Sequence, residues 1–294
     1  MSPWWLTGFV DAEGCFQISV TKNDEYICGW RVQLFFKILL HIKDKPLLEK
    51  IQKFFGVGSI IVCKDNSIEY IVSSFEGLKV VIEHFKKYRL ITKKKADFDL
   101  FYKAFCLVLN KEHLQKKGLL LIIALKASLN KGLSDELKSA FSDVIPQERP
   151  LVLDPEIPDP DWLAGFATGE GCFFVGITSS STHHLGFQVR LAFELAQHSR
   201  DEQLIKSMID YFNCGKIYKK NKEVYNYRVV KFSDLENKII PFFLKYKIEG
   251  AKYKDFQDFL QIAELMKNKV HLTQKGLVQI RKIKGGMNTG RKFD

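Results

Sequence analysis

The sequence repeats itself at long range. Shifted by 157 residues, Trp5 falls on Trp162, Leu6 on Leu163, Gly8 on Gly165 and Phe9 on Phe166, and Glu13-Gly14-Cys15-Phe16 falls on Glu170-Gly171-Cys172-Phe173. The same shift carries His41 to His198, Gly58 to Gly215, Phe75 to Phe232 and Leu78 to Leu235. At 158 residues, Asp97-Phe98 meets Asp255-Phe256, His113-Leu114 meets His271-Leu272, Gly118-Leu119 meets Gly276-Leu277 and Asn130 meets Asn288. Copies of this length are domains, not the short units of a solenoid. The 294 residues therefore read as an N-terminal half over 1–132, a linker over 133–161 and a C-terminal half over 162–294.

The linker carries five of the eight prolines (146, 150, 155, 158, 160). Proline fixes its own φ and keeps the preceding residue extended, so 153–161 is expected to be a stiff connector. Leu133–Phe141 is expected to be a short helix with Ser134 as its cap. Residues 133–162 hold eight acids and two bases, a local balance of −6; the whole chain is +11, so the remainder carries +17. A basic body of this kind points to a polyanion, of which nucleic acid is the commonest large one.

The six cysteines form no CxxC and no Cys/His cluster at zinc-ligand spacing, so unpaired thiols in a reduced compartment are expected. The longest apolar stretch, Leu119–Leu125, is too short to cross a bilayer. The first recognisable element starts within the first few residues, so no cleaved targeting peptide is expected: either the protein acts where it is made or the sequence has been trimmed.

Each half has the same order of elements. In the first, a short apolar helix precedes two alternating segments, Cys15–Thr21 and Arg31–Leu39. A helix follows over Pro46–Phe55, then strands near Ser59–Cys63 and Ile68–Ser73, then helical stretches near 76–88, 94–110 and 111–128. This is an α+β half built on an antiparallel sheet. Alternation sorts the faces. Phe16, Ile18 and Val20, with Val32, Leu34, Phe36 and Ile38, point inward; Gln17, Ser19 and Thr21, with Arg31, Gln33, Phe35 and Lys37, point outward. The second half repeats the pattern, with Val189, Leu191, Phe193 and Leu195 inward and Gln188, Arg190, Ala192 and Glu194 outward. Phe174, Thr178 and Tyr218 join the outward set. One such strand alone is an ordinary solvated face. Its recurrence in a basic chain makes it a candidate for base contacts in a DNA major groove, which admits a β-ribbon. Lys43, Lys45, Lys216, Lys219, Lys220, Arg228 and Lys231 are candidate phosphate contacts. Lys116, Lys117 and Lys267–Lys269 read as solvated helix faces.

The sharpest signal is the pair Leu6-Thr-Gly-Phe-Val-Asp-Ala-Glu13-Gly14 and Leu163-Ala-Gly-Phe-Ala-Thr-Gly-Glu170-Gly171. Gly8 with Ala12, and Gly165 with Gly169, place small residues four apart and so give each helix a flat stripe for close packing. Gly14 and Gly171 are expected to end their helices at positive φ. Glu13 and Glu170 then stand at helix C-termini, where a carboxylate is unfavourable by about 0.3–1 kcal/mol. A divalent cation relieves that cost, and Mg²⁺ takes carboxylates, carbonyls, waters and phosphate oxygens.

These two motifs resemble the paired signatures of the LAGLIDADG homing endonucleases in their monomeric two-repeat form, and the whole chain is similar to the I-OnuI-like fungal mitochondrial group. The resemblance implies two pseudo-symmetric αββαββα halves, saddle-shaped antiparallel sheets over the DNA, and motif helices packed at the inter-domain interface. It implies a metal-dependent endodeoxyribonuclease that hydrolyses one phosphodiester on each strand of double-stranded DNA and leaves 3′ overhangs. Carried over by position, Glu13 and Glu170 bind Mg²⁺ (with Ca²⁺ or Mn²⁺ as substitutes), joined by the backbone carbonyls of Ala12 and Gly169. Gln197 fits the family's solvent-ordering position, whereas Leu40, its counterpart, does not. Lys94 and Lys252 match the basic residues beside the scissile phosphates, with Lys93, Lys95 and Lys254 nearby. The resemblance also implies a monomer of mitochondrial origin, and host intron RNA as a second partner if the chain acts as a maturase. An RNA maturase or a DNA-binding regulator on the same scaffold is the competing reading; retention of both motif acids favours the nuclease. Asp11, matched by Thr168, and the pair His41 and His198 are expected to have structural roles. The outward faces of the two halves differ, so an asymmetric target about two helical turns long is expected.

Overall fold

The computed structural model describes residues 1–152, 155–219, 221 and 223–291. The chain divides into two compact units, one of Met1 with Glu13–Pro155 and the other of Ser2–Ala12 with the chain from Glu156 onward. The units are thus not cut where the repeat is. The helix of the first motif, all but its last residue, counts with the second unit.

In the first unit, β1 (Gly14–Lys22), β2 (Trp30–His41), β3 (Ser59–Val62) and β4 (Ser67–Val72) form an antiparallel sheet in the order β1-β2-β4-β3. Between β2 and β3 lies α2 (Lys45–Phe55), and after β4 come α3 (Phe75–Lys87), α4 (Lys94–Leu109) and α5 (Lys116–Ala127). The inward residues Phe16, Ile18, Phe36, Ile38, Ile68 and Tyr70 are buried against these helices, where Phe16 packs on Phe36, Phe85, Phe98 and Phe101. The stretch expected as one helix over 111–128 is broken at its start. Lys111 turns into the left-handed region at φ 58°, and a 3-10 turn over Glu112–Leu114 precedes α5. The short helix α6 (Asp135–Ala140) forms as expected, with Ser134 Oγ accepting from Leu137 N at 3.4 Å.

The linker is anchored ahead of the expected connector. Arg149 ties it to the first unit, donating to Asp97 Oδ1 at 2.7 Å and to the carbonyls of Ser128 and Lys93 at 3.0 Å each. Leu153 and Asp154, the start of the expected connector, lie outside the described residues. Its end is helical: Asp159 caps α7 (Pro160–Glu170) by accepting from Asp161 N at 2.8 Å, and Pro160 takes the first helical position, where a missing N–H costs nothing.

In the second unit, β5 (Gly171–Ser179), β6 (Phe187–His198), β7 (Lys216–Lys219) and β8 (Val224–Val229) repeat the sheet in the order β5-β6-β8-β7, with α8 (Glu202–Phe212) between β6 and β7. The next helix is irregular. It runs from α9 (Phe232–Asp234) through a π turn over Leu235–Ile239 into α10 (Ile240–Lys245), because Pro241 has no N–H for an α-type bond. Then follow α11 (Ala251–Lys267) and α12 (Gln274–Gly285).

The first motif helix, α1 (Pro3–Glu13), packs on α7 with almost no gap. A Cβ on Gly8 would lie 1.8 Å from Trp162 O, and one on Gly165 would lie 1.9 Å from Trp5 O. The reciprocity reproduces the 157-residue repeat in space, since each glycine meets the counterpart of the residue its partner meets. Stripes of small residues thus bring backbone against backbone. The polar contacts break the symmetry. Trp162 Nε1 donates to the buried Asp11 Oδ2 at 2.8 Å, but Trp5 Nε1 donates to Lys247 O at 3.0 Å. At the position equivalent to Asp11, Thr168 bonds Ala164 O at 2.9 Å. Both residues therefore have the structural roles expected of them.

Candidate active site and nucleic-acid interface

Glu13 is the last residue of α1 and Glu170 the last of α7; each chain then enters the first strand of a sheet without a connecting turn. The glycines that follow do not take the positive φ expected of them. Neither is among the positive-φ residues, and Gly171 is extended at φ −74°, ψ 150°. Its requirement is steric: a Cβ there would lie 2.4 Å from Ala167 O. The direct junction leaves each glutamate half-buried at the head of its sheet.

A helix end leaves its last carbonyls without intrahelical partners. In α7 the ammonium of Lys252, on α11, answers that of Gly169, donating to its O at 2.5 Å, and also reaches Ala167 O at 3.4 Å, which already accepts from Gly171 N. A cation at this spot also meets the negative end of the helix dipole. Lys94 holds the matching place in the first unit. Burial pushes the Cys15 thiol up and Lys94 is the chief charge opposing that rise; in the second unit, burial and Glu194 push Cys172 up while Lys252 opposes them. Both lysines therefore act electrostatically on the residue two places after the motif glutamate.

Among the described residues no group of three or more His, Cys, Asp or Glu could hold a metal by itself. What each motif end offers instead is one carboxylate next in sequence to a helix-terminal carbonyl, Glu13 after Ala12 and Glu170 after Gly169. Such hard oxygens suit Mg²⁺ or Ca²⁺ with the remaining ligands from water or phosphate, and the ammonium on Gly169 O marks a place where positive charge is favoured. Gln197 lies on the part of β6 that runs past the start of β5, since Gly171 pairs with Leu195. Its Oε1 accepts from His198 N at 2.9 Å. His41 and His198 cap short turns, each Nδ1 accepting from the amide two residues on, of Lys43 and Arg200, at 3.2 Å.

The outward faces hold most of the expected side chains. Thr21 pairs with Arg31, Ser19 with Gln33, Gln17 with Phe35 and Cys15 with Lys37, which places all of them on one face. In the second sheet Thr178 pairs with Gln188, Phe174 with Ala192 and Glu194 with Arg228, while Lys216 and Tyr218 lie across from Arg228 and Asn226. Arg190 Nε donates to Gln188 Oε1 at 2.8 Å. Ala192 is a correction: it has the right parity but is buried, a small side chain directly opposite the larger Phe174. Lys220 lies outside the described residues.

Sequence reasoning missed Leu39, Glu69 and Ile61, which form one row of the first face, and Ala196 and Asn226, which join the expected Tyr218 in the equivalent row. Alternation in Ser67–Val72 was the available signal. Lys37 lies 3.2 Å from Glu69 Oε1, and Arg228 2.7 Å from Glu194 Oε1.

Fold and site define a tandem-repeat α+β protein in which each repeat closes its motif helix with one carboxylate at the head of a polar-faced sheet. The chain belongs to the LAGLIDADG endonuclease family, whose model matches residues 6–105 and again 163–263. It is 41% identical over 97% of its length to "Probable intron-encoded endonuclease 3" of Neurospora crassa, and 41% identical over 98% of its length to "Probable intron-encoded endonuclease 2" of the same fungus. The chain spans 54% and 65% of the lengths of those two relatives. Among solved structures it is similar to the I-SmaMI LAGLIDADG homing endonuclease bound to cleaved DNA, at 46% identity and a TM-score of 0.98, covering 99% of this chain and 98% of that one. I-SmaMI has also been solved on an uncleaved DNA target in the presence of calcium ions, and in single and double lysine-to-alanine mutants.

Proposed function

We propose that this chain is a site-specific endonuclease of double-stranded DNA that hydrolyses one phosphodiester on each strand of a long asymmetric target with Mg²⁺ and leaves 3′ overhangs. The observation that carries the reading is the junction found twice, a half-buried glutamate ending a motif helix at the head of a sheet with a polar outer face. The DNA-bound state of I-SmaMI supports the choice of substrate, and the calcium in one of its structures supports a divalent ion.

In this reading Glu13 and Glu170 hold the ions, aided by the carbonyls of Ala12 and Gly169. A bound divalent ion supplies charge stabilisation at the attacked phosphate and a more acidic water. Lys94 and Lys252 bring positive charge toward the same phosphates. Gln197 orients solvent beside Glu170, and Leu40 leaves the first unit without that help, so the two strands are cut at unequal rates. The outer faces carry the readout: Gln33 and Arg190 contact base edges, and Lys216 contacts phosphate. A mitochondrial location and a monomeric state follow from the intron-encoded relatives and from two active-site halves within one chain.

The test is selection of cut sites from a randomised duplex library with Mg²⁺, beside an EDTA control and the Glu13→Gln/Glu170→Gln double mutant. One long asymmetric site, cut only by the wild type with metal, is expected. Binding without cutting would overturn the nuclease and point to a regulator or maturase, to be probed next with intron RNA.

A further inference from the structure

The outer face of the second sheet contains a pre-set arginine. Arg228 lies on β8, a strand paired on both sides, with Glu194 of β6 and Lys216 of β7 as its cross-strand neighbours. Its Nε is buried and stands 2.7 Å from Glu194 Oε1, an ion-pair contact in which the Nε hydrogen is not aimed at the carboxylate, so that Nε makes no hydrogen bond. The other carboxylate oxygen, Oε2, accepts from Asn226 Nδ2 at 3.2 Å. The guanidinium sits over the Phe174 ring, 5.9 Å from its centroid. The side chain as a whole is still 38% exposed, so what it presents outward is its two terminal amino groups.

Two physical consequences follow. A phosphate contact draws its strength from counterion release, which needs an uncompensated cation. Arg228 is already compensated, and its carboxylate partner repels phosphate; among the described residues of this row, Lys216 on the edge strand is an exposed cation better suited to phosphate. The second consequence is geometric. A planar guanidinium paired by charge with a carboxylate and lying over a ring has less rotamer freedom to lose when DNA arrives. A fixed pair of donors matches the O6 and N7 acceptors that guanine shows in the major groove.

We propose that Arg228 reads a guanine and that Glu194 is the positioning residue that holds it for that task. The assignment deepens the DNA reading above and rests on it. The first half does not copy the device. At the 157-residue shift Ile71 stands for Arg228 and Lys37 for Glu194, so the guanine requirement belongs to one half-site.

The experiment measures binding of a selected duplex in EDTA, with 7-deazaguanine replacing each guanine in turn. That analogue removes the N7 acceptor and keeps base pairing. At one guanine of one half-site, wild-type affinity is expected to fall about tenfold. Arg228→Ala should bind the normal duplex about tenfold more weakly, lose nothing further on that analogue, and keep the wild-type salt dependence. Glu194→Gln should keep its affinity, tolerate other bases at that position and gain about one phosphate contact in its salt slope. Melting curves confirm that both variants fold. The assignment is overturned if Arg228→Ala weakens all duplexes alike with a salt slope shallower by about one, or if Glu194→Gln leaves base preference intact. Wild-type binding with no N7-sensitive guanine overturns it alone. A wild type that binds no duplex overturns the DNA reading itself.

Discussion

Lys252 Nζ lies 2.5 Å from the carbonyl oxygen of Gly169, the residue before the motif glutamate of α7. The ammonium thus caps the helix beside the carbonyl that the proposed function assigns to a divalent ion. Its loss should have a small structural cost and a large functional one. Lys252→Met is expected to lower stability by only about 0.3–1 kcal/mol, the scale of a charge at a helix end. Single-turnover cleavage should slow by much more while target affinity changes little. Equal loss of affinity and rate would mark Lys252 as a binding residue instead.

Glu13→Gln and Glu170→Gln each remove a carboxylate that no neighbouring acid replaces within its motif end. Double-strand cleavage should fall by more than the about 10–100-fold that loss of an outer-shell metal partner costs. DNA binding should largely persist, because the outer faces of the sheets are untouched. Plasmid cleavage beside a gel-shift assay measures both; wild-type turnover in either variant would refute the role.

Gly8→Ala and Gly165→Ala put a methyl group 1.8 and 1.9 Å from a backbone oxygen of the facing helix. Backbone cannot step aside as a flexible side chain can. Each change should cost about 3 kcal/mol or more, the upper end for overpacking, visible as a lower denaturation midpoint. The two costs should be similar because the contacts are reciprocal.

His84 sits among Phe54, Phe55, Phe85 and Tyr88, and burial lowers its pKa to about 4. As pH falls below 6.5 the unfolded chain takes up a proton that the native chain refuses until about 4. The native state therefore loses stability across that window, by on the order of 1–3 kcal/mol, and the loss levels off below it. Burial depresses His113 and His271 in the same direction. Melting temperatures from pH 7 to pH 4.5 should fall, and His84→Phe should flatten the slope. An unchanged slope in that variant would assign the effect elsewhere.

Much of this protein was written locally. The alternation in β1, β2, β5 and β6, the Ser134 cap and the two acids at the motif ends each depend on neighbours within a few residues, where periodicity and turn chemistry operate, and the repeat is read by laying the chain on itself. Tertiary structure decided what depends on distant atoms. Gly171 is small because Ala167 O is near, not because its φ is positive. Arg149, far along the chain from Asp97, clasps it, while Arg291 clasps the equivalent Asp255, and no repeat relates the two arginines. Ala192 is buried by a strand partner that no pattern within its own strand reveals. Trp5 and Trp162, identical in sequence position, donate to different acceptors because one faces a carboxylate and the other does not. The sequence alone determined two αββαββα halves and one acid for each. Steric fit and hydrogen-bond pairing across the fold determined how those acids, and the cations around them, are held, because both depend on atoms brought together by packing rather than by order along the chain.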